Sequence, residues 1–248
     1  MIGAPFVLGD GEVGALLVHG FTSTPFEVRY LGERLAAAGI TAVGPLLPGH
    51  GTTVADLART AWPMWAATVE AELDRLRARC RRVVVAGVSL GALLALELAS
   101  RRGADIAGVC ALAAPLWLTG LGAEVARWTA PGAPLACVRR VPKLGGSDVA
   151  DPEVKRANPA YRAIPTRALA ELVAVMRATD AALPAIAVPV LALHGAQDHT
   201  APVGGSERIV ARVPRARMQL FPRSYHLLAA DVERADVADA VIRFIEEL

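Results

Sequence analysis

The 248-residue chain is poor in cysteine and nearly balanced in charge. Cys80, Cys110 and Cys137 are odd in number and lack the paired spacing of a metal site. That excludes a disulfide framework or a structural zinc as the organising principle, and reduced thiols of this kind suit a cytoplasmic location. The net charge is +2 and no run of like charges occurs, so no dedicated nucleic-acid surface is expected. The opening MIGAPFVLGDGE has neither a basic segment nor a long apolar one and reads as no signal peptide. Two apolar windows, 83–100 and 106–123, invite a membrane reading. The first, however, holds two glycines, a serine and Glu97, and the second is broken by Pro115. Strands of a parallel sheet are covered on both faces and give such runs without lipid, so no membrane span is expected. There is no internal repeat and no low-complexity linker. No pair of histidines has the spacing or acidic company of a zinc site, and neither a metal nor any other cofactor is expected.

What is present is a regular alternation of short apolar runs with amphipathic stretches. Val13–His19, Ile40–Val43, Val83–Ala86, Ile106–Ala113, Val188–His194 and Arg217–Phe221 read as strands. Thr24, Pro25 and Glu27 predict a capping box opening a helix that stops at Gly39. Residues 62–80 put Trp65, Val69, Leu73, Leu76 and Cys80 on one stripe. Helices are also expected after Ser89, over Thr166–Leu183, around Ser206–Val213 and over Val232–Leu248. Strands alternating with helices make right-handed βαβ units and a mostly parallel sheet. The expected fold is α/β, with about six to seven strands and helices on both faces. One domain is expected over 1–248. Between about 115 and 165 the rhythm breaks, with prolines, glycines, Trp117 and Trp128; this reads as an insertion with short helices of its own.

The chemistry centres on Gly87-Val88-Ser89-Leu90-Gly91, a G-x-S-x-G set between a β-branched strand and an apolar helix. A strand that turns at once into a helix presents Ser89 above the sheet on a strained turn. A serine hydroxyl needs a base, and the base needs an acid residue to hold its tautomer. Where such an elbow supplies the nucleophile, the partners follow in the order Ser, Asp or Glu, His. Ser89, Asp198 and His226 satisfy that order, each at or beyond a strand's carboxyl end, where ligands bind in open α/β sheets. His50 precedes the elbow and lies in the loop GPLLPGHG; it is a candidate lining residue or a loop hydrogen-bonder. His199 reads as a rim residue, and His19 and His194 as structural. Asp231 and Asp236 follow His226 and fail the order test. The tetrahedral intermediate needs preorganised donors, and the candidates are the N–H of Leu90, at a helix N-terminus, and that of Phe21 in His19-Gly20-Phe21. In the insertion, Trp117, Leu121, Val125 and Trp128 share one helical face, and an apolar wall for an acyl chain is one reading of it; packing on the domain core is the other.

The segments LLVHGFTSTP, GPLLPGHGTT, GVSLGA, HGAQDHTAP and SYH resemble the bacterial carboxylesterase and monoacylglycerol lipase family of the α/β-hydrolases over nearly the whole chain. The resemblance implies an α/β-hydrolase fold with a small cap over the site at about 115–165. It implies Ser89 as nucleophile, Asp198 and His226 as its partners, and Phe21 and Leu90 as oxyanion donors. It also implies a small-molecule ester substrate, monoacylglycerols among the candidates. The cap matches least, so the acyl donor stays open. A thioesterase or acyltransferase using the same residues is the second reading, and a non-catalytic ligand-binding protein on this fold the third.

Overall fold

Continuous apolar runs form strands, and the amphipathic stretches between them form helices that cover both faces of a sheet. The structure, a computed structural model, describes residues 3–248. In chain order the strands are β1 (Phe6–Leu8), β2 (Val13–Val18), β3 (Thr41–Gly44), β4 (Arg82–Val88), β5 (Gly108–Leu112), β6 (Arg140–Pro142), β7 (Ala163–Pro165), β8 (Val190–Gly195) and β9 (Ala216–Phe221). The helices are α1 (Phe26–Ala37), α2 (Val54–Leu57), α3 (Trp62–Arg77), α4 (Leu90–Arg102), α5 (Gly120–Thr129), α6 (Pro152–Ala157), α7 (Thr166–Ala182), α8 (Gly204–Arg212) and α9 (Arg234–Glu246). Seven strands form one sheet in the order β1-β3-β2-β4-β5-β8-β9. All its pairings are parallel except β1 with β3. β1 is a strand that periodicity does not reveal, because three residues at a sheet edge are too short to show an alternation.

Side chains alternate between two cores. Leu16, Val18, Val83 and Val85 pack with α3, α4 and α7 on one face. Ala15, Leu17, Val84 and Ala86 pack with α1 and α9 on the other. The stripe of Trp65, Val69, Leu73 and Leu76 on α3 is buried as its spacing requires. No helix among the described residues is long and apolar enough to cross a membrane.

The capping box expected at Thr24 does not form. α1 starts at Phe26, Thr24 Oγ1 accepts only a long bond of 3.4 Å from the Phe26 N–H, and Glu27 turns away from the helix end. Glu27 instead accepts from the Gly20 N–H at 3.1 Å and from Asn158 Nδ2 at 3.3 Å. A buried loop N–H without an acceptor costs more than a helix-end N–H that water can serve, and this decides where the carboxylate goes.

The stretch over 115–165 carries α5, β6, α6 and β7. β6 pairs antiparallel with β7, and the chain then re-enters the α/β rhythm at α7. It docks on the loop after β2, where the Tyr161 N–H donates to Thr22 O at 2.8 Å.

Candidate active site

The elbow is local geometry forced by its glycines. Ser89 sits between β4 and α4 at φ 56° and ψ −115°, a left-handed conformation rare for a residue with a side chain. A Cβ on Gly87 would lie 2.2 Å from the carbonyl of Gly91, and one on Gly91 would lie 2.1 Å from Val18 O. Only glycine at both positions lets α4 start this close to β2 and β4. The Leu90 N–H opens α4 and has no intrahelical acceptor. The Phe21 N–H, in the loop after β2, has no hydrogen-bond acceptor among the described residues.

The loops after β8 and β9 bring Asp198 and His226 together. His226 Nδ1 lies 2.8 Å from Asp198 Oδ2. An ionised carboxylate only accepts, so Nδ1 carries the proton and Nε2 keeps its lone pair. Asp198 Oδ1 accepts from the N–H groups of Thr200 and Ala201, each at 2.8 Å. Burial pushes the Asp198 carboxyl up, but the attraction of His226 and the bonds from His194, His226 and the Ala201 N–H outweigh it. The group therefore lies far below the usual carboxylate range and is ionised. Burial likewise works against a charged His226. Facing Asp198, with Asp148 and Glu27 nearby, the ring is nevertheless held above its ordinary 6.5.

A second histidine grips the same carboxylate. His194, the penultimate residue of β8 and fully buried, places Nε2 3.1 Å from Asp198 Oδ2 and 3.1 Å from Ala201 O. Both partners are acceptors, so Nε2 carries the proton. Nδ1, 2.8 Å from Ser206 Oγ, then accepts from that hydroxyl. The sequence reading gave His194 a structural part only. Its spacing of four residues before Asp198, across a strand end, was the available signal.

The loop bearing His226 is held by two carboxylates. Asp231 accepts from the N–H groups of Tyr225, Ala150, Asp151 and Val232. Glu233 accepts from the Arg223 N–H and the Ser224 hydroxyl. Asp148 ties the rim together: it accepts from His199 Nδ1 at 3.0 Å, from the His199 N–H and from the Thr200 hydroxyl. Exposed His199 stands at this rim, edge-on to Tyr225.

Ser89 and His226 line one cavity of about 870 Å³. No hydrogen bond joins them; the Ser89 hydroxyl has no partner among the described residues. Phe21, Glu27, Leu121, Val125, Lys143 and Met176 also line it. Trp117 and Trp128 do not, against the acyl-wall reading, and neither does His50, for which the loop hydrogen bond is the reading that holds. Trp117 precedes the Thr119 cap of α5 and packs by Gly204 instead of sharing the helical face. Trp128 turns outward, its Nε1 donating to Glu124 and Arg127 stacking on its ring. His50 is buried among His19, Phe21 and Trp65, with Nδ1 on Pro48 O and burial lowering its pKa to about 4. His19 donates from Nδ1 to Gly20 O and accepts the Leu47 N–H at Nε2, which fastens the loop carrying Phe21. No group of three or more His, Cys, Asp or Glu side chains among the described residues is placed to hold a metal ion.

A parallel sheet with a serine elbow after one central strand and an Asp–His pair on later strand ends defines an α/β-hydrolase. The chain belongs to the family described as serine aminopeptidase, S33, whose pattern it matches over residues 14–233. It is 34% identical over 242 residues to the thermostable monoacylglycerol lipase of Bacillus sp. (strain H-257), covering 97% of this chain and 93% of the relative. It is 26% identical to a carboxylesterase of Bacillus subtilis (strain 168), covering 98% and 96%. Among solved structures it superposes with TM-score 0.91 and 27% identity on one from the study of the metagenome-derived lipolytic enzymes LipS and LipT, covering 100% of this chain and 98% of that one. The Paleococcus ferrophilus monoacylglycerol lipase shares the fold, with TM-score 0.79 at 21% identity, covering 97% of each chain.

Proposed function

We propose that this carboxylic ester hydrolase works through an acyl-enzyme on Ser89. The observation that carries the reading is the Asp198–His226 bond of 2.8 Å opening onto the cavity that the strained Ser89 also lines. In this reading neutral His226 takes the Ser89 proton at Nε2 as the hydroxyl attacks the ester carbonyl, and Asp198 stabilises the imidazolium that forms. The N–H groups of Phe21 and Leu90 receive the oxyanion. Imidazolium His226 then protonates the leaving alcohol, and the same base activates the water that releases the acid. The 115–165 stretch acts as a cap, and Leu121 and Val125 of α5, with Leu169, Leu172 and Met176 of α7, form the apolar wall for the acyl chain. The names of the curated relatives support carboxylic esters, monoacylglycerols included, as substrates, and the apolar wall suits small to medium acyl chains.

The test is covalent labelling. A fluorophosphonate is expected to modify Ser89 alone, and Ser89→Ala to lower kcat on 4-nitrophenyl octanoate by about 10⁴- to 10⁶-fold. An active Ser89→Ala variant, or a label on another serine, overturns the reading.

A further inference from the structure

The cavity wall holds two ammonium groups that the proposed chemistry does not use. Lys143 follows β6, and exposed Lys155 lies on α6. Among the described residues neither has a carboxylate oxygen within 4.0 Å. The one hydrogen bond of Lys143 Nζ is long, 3.4 Å to Thr22 Oγ1. Burial pushes the Lys143 ammonium down from its usual value, while the charges of Glu27 and Asp148 pull it back. Neither carboxylate closes on it, and both are engaged with other donors. Glu27 accepts from the Gly20 N–H and Asn158, and Asp148 from His199 and Thr200. Lys143 therefore keeps N–H groups that no carboxylate takes up, although Glu27 and Asp148 line the same cavity. A half-buried cation with spare N–H groups gains from an anionic oxygen, through charge-assisted hydrogen bonds.

We infer that the cavity takes esters whose alcohol half carries an oxyanion, a carboxylate or a phosphate, held by Lys143 with Lys155 at the rim. The inference rests on the proposed ester hydrolysis at Ser89. The alcohol half is assigned to this side for two reasons. Lys143 leans on Thr22, next to the proposed oxyanion donor Phe21, and the apolar wall belongs to α5 and α7 instead. Plain glyceryl esters fit the same space and leave the ammonium with weaker acceptors.

Two matched pairs test it: mono-octanoylglycerol against mono-octanoylglycerol phosphate, and propyl octanoate against the octanoyl ester of hydroxypropanoate. The wild-type enzyme is expected to prefer at least one anionic member by about tenfold or more in kcat/KM, chiefly through KM. The preference should shrink as salt rises. Which pair shows it tells phosphate from carboxylate. Lys143→Met is expected to remove most of the preference, Lys143→Arg to restore it, and Lys155→Met to lower it less. A wild-type ratio near one in both pairs overturns the inference, as does a Lys143→Met variant whose loss is equal on neutral and anionic esters. Turnover of 4-nitrophenyl octanoate and labelling of Ser89 report on the underlying hydrolysis separately. An enzyme that hydrolyses neutral esters without preference sinks this inference alone.

Discussion

At the scale of single residues, the site is a set of proton positions dictated by acceptors. Asp198 receives four donors: His226 and His194 on Oδ2, and two backbone N–H groups on Oδ1. It stays ionised, so within the Asp198–His226 pair the histidine is the group that titrates. The proposed base must be unprotonated, and its pKa lies above 6.5. Activity is therefore full at high pH and lost as pH falls through that value. A pH profile of kcat/KM is expected to show a single acid limb with its midpoint above 6.5. His226→Ala should approach the loss seen for Ser89→Ala, while His199→Ala, an exposed ring bonded to Asp148, should be mild. A profile centred below 6.5, or an inactive His199→Ala, contradicts this assignment. His194 makes a subtler prediction. Its proton disperses the Asp198 charge, so His194→Leu concentrates that charge on His226 and stabilises the imidazolium. The acid limb is expected to move to higher pH by a few tenths to about one unit. Ser206→Ala should move it the same way and less. An unmoved limb would reduce His194 to core packing.

At the scale of elements, α5 separates what periodicity can and cannot settle. The spacing of Trp117, Leu121, Val125 and Trp128 is helical. The Thr119 cap nevertheless starts the helix after Trp117, and the Glu124–Trp128 bond turns the second indole outward. The apolar residues that α5 gives the cavity are therefore Leu121 and Val125, joined by Leu169, Leu172 and Met176 of α7, and these form the proposed acyl wall. Each substrate CH₂ buried there contributes up to roughly 0.8 kcal/mol, close to a fourfold gain in kcat/KM. Esters from butanoate to octanoate should therefore gain steadily over acetate. Leu121→Ala and Val125→Ala are expected to flatten that series with little effect on acetate esters, and Trp128→Ala to leave its slope unchanged. A chain-length series on all three variants, with melting curves alongside, checks it. Equal loss on every ester with a lowered Tm would place α5 in the packing of the fold.

At the scale of the whole molecule, one buried carboxylate couples the 115–165 stretch to the loop of the proposed base. Asp231 takes N–H groups from Ala150 and Asp151 on one side and Tyr225 on the other. Asp231→Ala leaves these donors without their acceptor, at a cost of at least about 3 kcal/mol. At about 2–4 °C per kcal/mol for a chain of this size, Tm is expected to fall by roughly 6–12 °C. Activity should fall on all esters alike, since the loop of His226 loosens without any change in the cavity wall. A variant that melts like the wild type would show that other contacts hold the loop.

The alternation of β2, β3, β4, β5, β8 and β9 with their covering helices, the elbow and the candidate residues Ser89, Asp198 and His226 were legible in the linear chain. They rest on local physics: continuous apolar runs for strands buried on both faces, a hydrophobic period of 3.6 for helices, glycines whose absent Cβ permits a close approach, and strand ends where loops begin. The remaining parts of the site join residues far apart in sequence. Lys143 meets Thr22 across 121 positions, His199 meets Asp148 across 51, and Asp231 meets Ala150 across 81. Glu27 carries the signature of a helix cap and serves Gly20 instead. Which buried donor gains most from a given carboxylate depends on what else is desolvated beside it, and only the packed tertiary structure decides that.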